Sequence, residues 1–150
     1  MNIYPIEAGN FKLDGGAMFG VIPKSLWQRT NPSDSDNLIE MSSRCLLVEN
    51  GNKLTLIDAG MGDKQSEKFF SFYKRSGDYD LVSSIKSAGF STDDITDVLL
   101  THLHFDHCGG ASIKNNFGKN EVLFKNAEYW SNQKHWDWAT TPNPREKASF

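Results

Sequence analysis

Two short apolar runs, at residues 45–49 and 53–57, flank Asn50-Gly51-Asn52. Runs of this length on either side of an Asn-Gly turn predict a β-hairpin. Upstream, residues 1–8 alternate weakly and predict a strand. Residues 9–20 carry four glycines around Met18 and Phe19. Apolar side chains in such a loop either pack on the core or line a pocket, which makes Met18 and Phe19 candidate pocket residues. The polar turn formers of 30–37 predict an exposed connection. Residues 63–75 place Phe69, Phe70, Phe72 and Tyr73 on one helical face. Leu81, Val82, Ile85 and Ala88 repeat at helical spacing, with Gly89 as the stop. A capped turn over 91–94 then leads into a strand over 97–100. Beyond Gly110 the pattern predicts a short helix or turn, a strand over 121–124 and a helix over about 127–134.

The strand over 97–100 runs directly into Thr101-His102-Leu103-His104-Phe105-Asp106-His107-Cys108-Gly109-Gly110, which holds three of the chain's four histidines. That density predicts a metal site. In an extended segment His102, His104 and Asp106 project to one side while Leu103 and Phe105 face the core. Asp106 and His107 are adjacent and need a bend to point the same way, and Gly109-Gly110 permits a tight exit. Mixed nitrogen and carboxylate donors suit Zn²⁺ best, with Fe, Mn, Co or Ni allowed. Asp58 follows a buried run and precedes Gly60, so it belongs at the carboxyl edge of the sheet, where sites in α/β proteins gather. His135 lies among Trp130, Trp136 and Trp138 with no ligand partner at useful spacing, and is read as structural or exposed.

Composition narrows the partners. A chain of 150 residues with 38% hydrophobic content suffices for one domain or part of one. Its net charge of −3 and lack of a basic run argue against nucleic acid. No signal-peptide pattern and no stretch of 18 apolar residues occurs, so the expectation is a cytoplasmic protein without membrane contact. Cys45 and Cys108 are the only cysteines, too few for a disulfide framework. Cys108 reads as a small buried side chain beside the turn rather than an extra ligand.

His102-x-His104-x-Asp106-His107 after an apolar strand, followed by Gly-Gly, resembles the metal motif of the metallo-β-lactamase fold hydrolases, in particular quorum-quenching lactonases and methyl parathion hydrolase. The resemblance runs from residues 14–20 through Ile57-Asp58-Ala59-Gly60 to 143–149. It implies an α/β (α+β) chain that forms the amino-terminal half of an αββα sandwich. His102 and His104 would then hold one zinc ion, and Asp106 and His107 a second. Asp106 would serve as the catalytic carboxylate, and Asp58 would orient a ligating histidine. The further ligands of that family belong to a second half beyond residue 150. Residues 1–150 are therefore expected to be a single incomplete domain that associates with itself or with its carboxyl-terminal half. The implied substrate is a small lactone or ester. The alternatives are a phosphodiesterase or ribonuclease of the same fold, and a catalytically inactive truncated form.

Overall fold

Alternation of buried and exposed positions along the second strand sets the architecture. In the computed structural model, which describes residues 1–78 and 80–150, β1 (Asn2–Asp14) pairs antiparallel with β2 (Leu38–Asn50). Ile39, Ser43, Cys45 and Leu47 of β2 turn inward, and Glu40, Ser42 and Arg44 turn outward, as the two-residue period requires. The predicted hairpin is present: β2 pairs with β3 (Lys53–Ile57), Asn50 opposite Lys53, with Gly51 at φ 62° as the first central residue of the turn.

β4 (Asp97–Leu99) lies parallel to β3, and β7 (Glu128–Trp130) lies parallel to β4. The sheet order is β1-β2-β3-β4-β7. On its inner face Ile6, Leu47, Leu56 and Val98 are fully buried beneath Leu81 and Ile85 of α4 (Leu81–Ser87), and Phe124 joins the same core. Asp80 caps α4 reciprocally with Ser83, and Gly89 follows at φ 94°. β5 (Ser112–Lys114) and β6 (Asn120–Val122) form a separate two-stranded sheet.

Several predicted boundaries shift. The first strand continues past residue 8 through an irregularity between Glu7 and Asn10, because its pairing with β2 resumes at Asn10. The glycine-rich loop is thereby reduced to a short helix, α1 (Gly15–Phe19), capped by Asp14 and followed by α2 (Lys24–Trp27). The aromatic helix is also shorter than predicted: α3 spans Glu67–Tyr73, begins at its cap Ser66, and leaves Phe72 65% exposed. Gly60 and Gly62, at φ 67° and 66°, hold the preceding segment out of helical geometry.

The helix expected over about 127–134 begins only at Gln133. The β-favouring pair Tyr129 and Trp130 extends the sheet instead, and the Tyr129 hydroxyl accepts from Phe124 N at 3.1 Å. Asn132 then caps the last helix, α6 (Gln133–Thr140), by accepting from Lys134 N at 2.9 Å. Among the described residues no helix is long and apolar enough to cross a membrane.

The chain crosses itself most closely where 59–62 meets 109–110. A Cβ on Gly109 would overlap the Met61 carbonyl, and one on Gly110 would overlap the Ala59 carbonyl. Gly109 itself has an ordinary helical φ of −57°, so a substitution there tests packing alone. Gly109→Ala is expected to destabilise by about 3 kcal/mol, the upper end of ordinary overpacking, because backbone cannot move aside as a side chain can. Gly118, at φ 74° with no atom near its missing Cβ, is the control. Gly118→Ala should lose about 1 kcal/mol, from left-handed backbone only. Urea midpoints of the two variants check the difference.

Candidate metal centre

β3 and β4 end side by side, and the candidate site is built on the segments that leave them. Asp58, the first residue after β3, adopts left-handed backbone at φ 60°, a conformation that Asp and Asn tolerate better than other side chains. Its own N–H bonds to the Leu99 carbonyl at 2.9 Å, which ties it to the end of β4. One carboxylate oxygen accepts from Thr101 N at 2.9 Å, and the Thr101 hydroxyl lies within 3.0 Å of both oxygens. The Oδ2 atom stands 2.8 Å from His107 Nδ1.

The metal motif is not an extended strand. After Leu99 the chain loops, and at His104 it enters a single helical turn, α5 (Phe105–Cys108), because Ala59 N bonds to the His107 carbonyl at 2.8 Å and Gly110 N to the Gly60 carbonyl at 3.0 Å. The expected same-side array of His102, His104 and Asp106 therefore gives way to a curled one. Asp106 lies in the first turn of α5, and Phe105 leaves the sheet core to pack against Phe69 and Tyr73 of α3, with ring centroids 5.0 and 4.8 Å away.

Curling brings the imidazoles together. The His102 ring lies 4.6 Å from that of His104 and 3.9 Å from that of His107, and Asp106 Oδ2 is 3.7 Å from His107 Nε2. The resemblance left open which ligating histidine Asp58 would orient. The carboxylate contacts His107 directly and reaches His102 through Thr101, whose hydroxyl is 3.1 Å from His102 Nδ1. Thr101 was missed in the sequence, although a hydroxyl directly before the first histidine was the available signal.

His104 Nε2 is buried without a hydrogen-bond partner. Trp138 and Phe150 crowd that ring, at centroid distances of 5.8 and 4.9 Å, while His135 sits 6.2 Å from His102. Among the described residues no three His, Cys, Asp or Glu side chains are disposed as a group that could hold an ion. The fit to a metal therefore rests on donor chemistry and on the orphaned nitrogen. With Nδ1 of His102 and of His107 facing oxygen partners, their Nε2 atoms are left to bind, as second-sphere acceptors arrange in metal sites. Burial pushes the Cys45 thiol up to about 12 and also raises that of Cys108. Met18 is half exposed and Phe19 stacks on Trp27 at 5.1 Å, in α1.

Comparison with known proteins decides the family. Residues 38–146 match the Metallo-beta-lactamase superfamily. The chain belongs to that superfamily. An N-acyl homoserine lactonase of Bacillus thuringiensis is 26% identical over 137 residues, 85% of this chain and 49% of the relative. One of Bacillus cereus is 27% identical over 103 residues, 62% of this chain and 40% of the relative. The chain thus spans about half the length, or less, of these curated relatives.

Among solved structures, a probable metal-dependent hydrolase from Staphylococcus aureus superposes with a TM-score of 0.90 at 32% identity, covering 99% of this chain and 52% of that one. A dizinc quorum-quenching lactonase in complex with a product has a TM-score of 0.65 at 26% identity, covering 96% of this chain and 46% of that one. The mixed α/β fold expected from the sequence is the one found, and it covers the amino-terminal part of the metallo-β-lactamase fold.

Electrostatics distinguishes the histidines. The hydrogen bond to Asp58 raises the His107 pKa above its usual value, outweighing burial. Burial, followed by repulsion from His107 and His104, lowers that of His102. Burial works against ionised Asp58, but the bonds from His107 and Thr101 prevail and hold it below the usual carboxylate range. The stabilisation from Asp58 is present above its unfolded pKa and lost as pH falls through the folded one. That from His107 is present below its unfolded pKa and lost as pH rises through the folded one. In a metal-free NMR titration His107 should have a midpoint above 6.5 and His102 one below it. Asp58→Asn should bring the His107 midpoint down towards or below the ordinary value, and an unchanged midpoint would remove Asp58 from this role.

Proposed function

We propose that this chain is the amino-terminal part of a metal-dependent hydrolase that opens lactone or ester bonds at a dinuclear zinc centre. The observation that carries the reading is the clustering of the His104 and His107 rings about that of His102, with His104 Nε2 buried and unpartnered. The lactonase relatives, similar over most of this chain, support the substrate class. His102 and His104 would hold one ion, and Asp106 and His107 the other. When bound, such a pair supplies Lewis acidity to a carbonyl oxygen and a hydroxide nucleophile at neutral pH.

The remaining work falls to the chain. Asp58 fixes the His107 ring by accepting at Nδ1, and Thr101 transmits the same restraint to His102. Asp106 steers the nucleophile and carries a proton to the leaving oxygen. Phe105, clamped between Phe69 and Tyr73, keeps the turn that presents Asp106 and His107 from unwinding. Met18 and Phe19 are pocket residues in this reading, approached by substrate from the α1 side.

The reading also holds that residues 1–150 form an incomplete domain. Pro5, Leu46, Ile57, Leu99 and Trp130 lie opposite one another across all five strands, on the sheet face turned away from α4. Leu99 and Trp130 are 40% and 51% exposed. An apolar row of that length needs cover, which the carboxyl-terminal half or a second copy of this chain would provide.

Elemental analysis of the protein extended to its full reading frame should show zinc or a related metal, strongly reduced in the double variant His102→Ala/His107→Ala. The same protein should hydrolyse a lactone panel, and Asp58→Asn should cost about 10–100-fold in metal affinity or activity. Full metal content in the double variant would refute the assignment of the ligands. The isolated 150 residues should self-associate in sedimentation, and Leu99→Lys should weaken that association. A monodisperse monomer would count against the incomplete-domain reading.

A further inference from the structure

A cavity of about 470 Å³ lies beneath the irregular part of β1, between that strand and the start of α4. Its volume is within the range of small-molecule sites. None of His102, His104, Asp106 and His107 lines it, whereas Ala59, Met61 and Gly110 do. Gly109 and Gly110 press directly on the carbonyls of Met61 and Ala59, so this crossing walls the cavity off from the metal motif.

Its lining is mixed: Phe11, Met61 and Leu81 are buried around it, and Val82 is half exposed. Ser43, more than nine-tenths buried, contributes the inner polar group. Among the described residues three ionisable side chains line it, Asp63, Arg75 and Asp80. Arg75 donates from Nη1 to the Gly62 carbonyl at 2.7 Å and lies 3.4 Å from the centroid of the Phe70 ring. Asp80 accepts from Ser83 N at 2.9 Å as the cap of α4. Asp63 adds a second carboxylate, so two carboxylates stand against the one guanidinium and the lining is net negative.

We propose that this cavity is a second ligand site, separate from the metal centre, for a small amphiphilic amine. The aliphatic body packs on Phe11, Met61 and Leu81, and the ammonium group sits at Asp63. Met61 and Gly62 touch the ligand on one side and grip Gly109 on the other, so occupancy stabilises the crossing. A ligand that binds only the folded state raises the melting temperature in a concentration-dependent way.

The probes are n-hexylammonium, hexanoate and hexanol, titrated into the protein and followed by amide and methyl NMR. Hexylammonium is expected to shift the Ala8, Gly9 and Met61 signals saturably, to raise Tm, and to bind at least tenfold more tightly than hexanoate. Asp63→Asn should erase that preference while the apolar body still binds. Val82→Trp, which adds bulk to the lining, should abolish binding and leave the His102 and His107 ring signals unmoved. Equal or stronger binding of hexanoate by the unaltered protein overturns the proposal, as do non-saturating shifts or shifts confined to the histidine motif. The comparison among the three probes needs no variant, so it decides the matter even if Val82→Trp does not fold. Because none of these readouts depends on lactone turnover, the outcome is independent of the activity proposed above.

Discussion

The structure around the metal motif depends on the carboxylate of Asp58. An isolated helical turn of four residues has no stability of its own, because nucleation fixes several residues for a single hydrogen bond. Phe105–Cys108 is such a turn, and it follows a loop rather than a regular element. What holds both ends is one side chain that bonds Thr101 at the entry and His107 at the exit. The backbone bonds from Asp58 N to Leu99 and from Ala59 N to His107 then extend the sheet's order into the motif. Left-handed backbone at Asp58 is the geometric condition for this, since it turns the chain at the end of β3 so that carboxylate and amides face the same neighbour.

The close crossing of 59–62 with 109–110 is the steric counterpart of that electrostatic tie. Glycine at 109 and 110 is required because carbonyl oxygens occupy the space a Cβ would take, and Gly62 in turn approaches Gly109. Lys64 adds a bond from its ammonium group to the Gly109 carbonyl, and Arg75 one to the Gly62 carbonyl. Partial burial lowers the Lys64 pKa even so. The motif is thus gripped from behind by backbone and cations while its imidazoles remain on the other side.

Much of this was legible in the sequence, and the failures have physical causes. The hairpin at 50–53, the helix at Leu81 and the metal motif each carry a strong local signal: a turn dipeptide, a 3.6-residue apolar period, a dense donor cluster. The fold class followed from these and from the family resemblance. The conformation of the motif did not follow, because a pattern that alternates as a strand does was overridden by tertiary bonds from residues 58–60, more than forty positions earlier in the chain. Residues 127–134 were misread for a related reason. Their aromatic content suits a helix or a strand equally, and the free edge of β4, which no local signal announces, decided for the strand. Thr101 escaped notice because its role exists only once Asp58 and His102 have been brought beside it.

His104 gives the site its energetic asymmetry. A buried nitrogen without a partner costs about 1–3 kcal/mol, and folded proteins seldom retain one unless something else binds it. The two aromatic rings packed on it, Trp138 and Phe150, do not satisfy it. Phe150 has no polar side-chain atom, and the only donor of Trp138, Nε1, is committed to Glu146 at 2.9 Å. His102 and His107 sit nearby, but their Nδ1 atoms are engaged with Thr101 and Asp58. Under the assignment proposed above, an ion held by His102 and His104 would remove that cost, which a purely structural histidine cluster would have to offset from the protein alone.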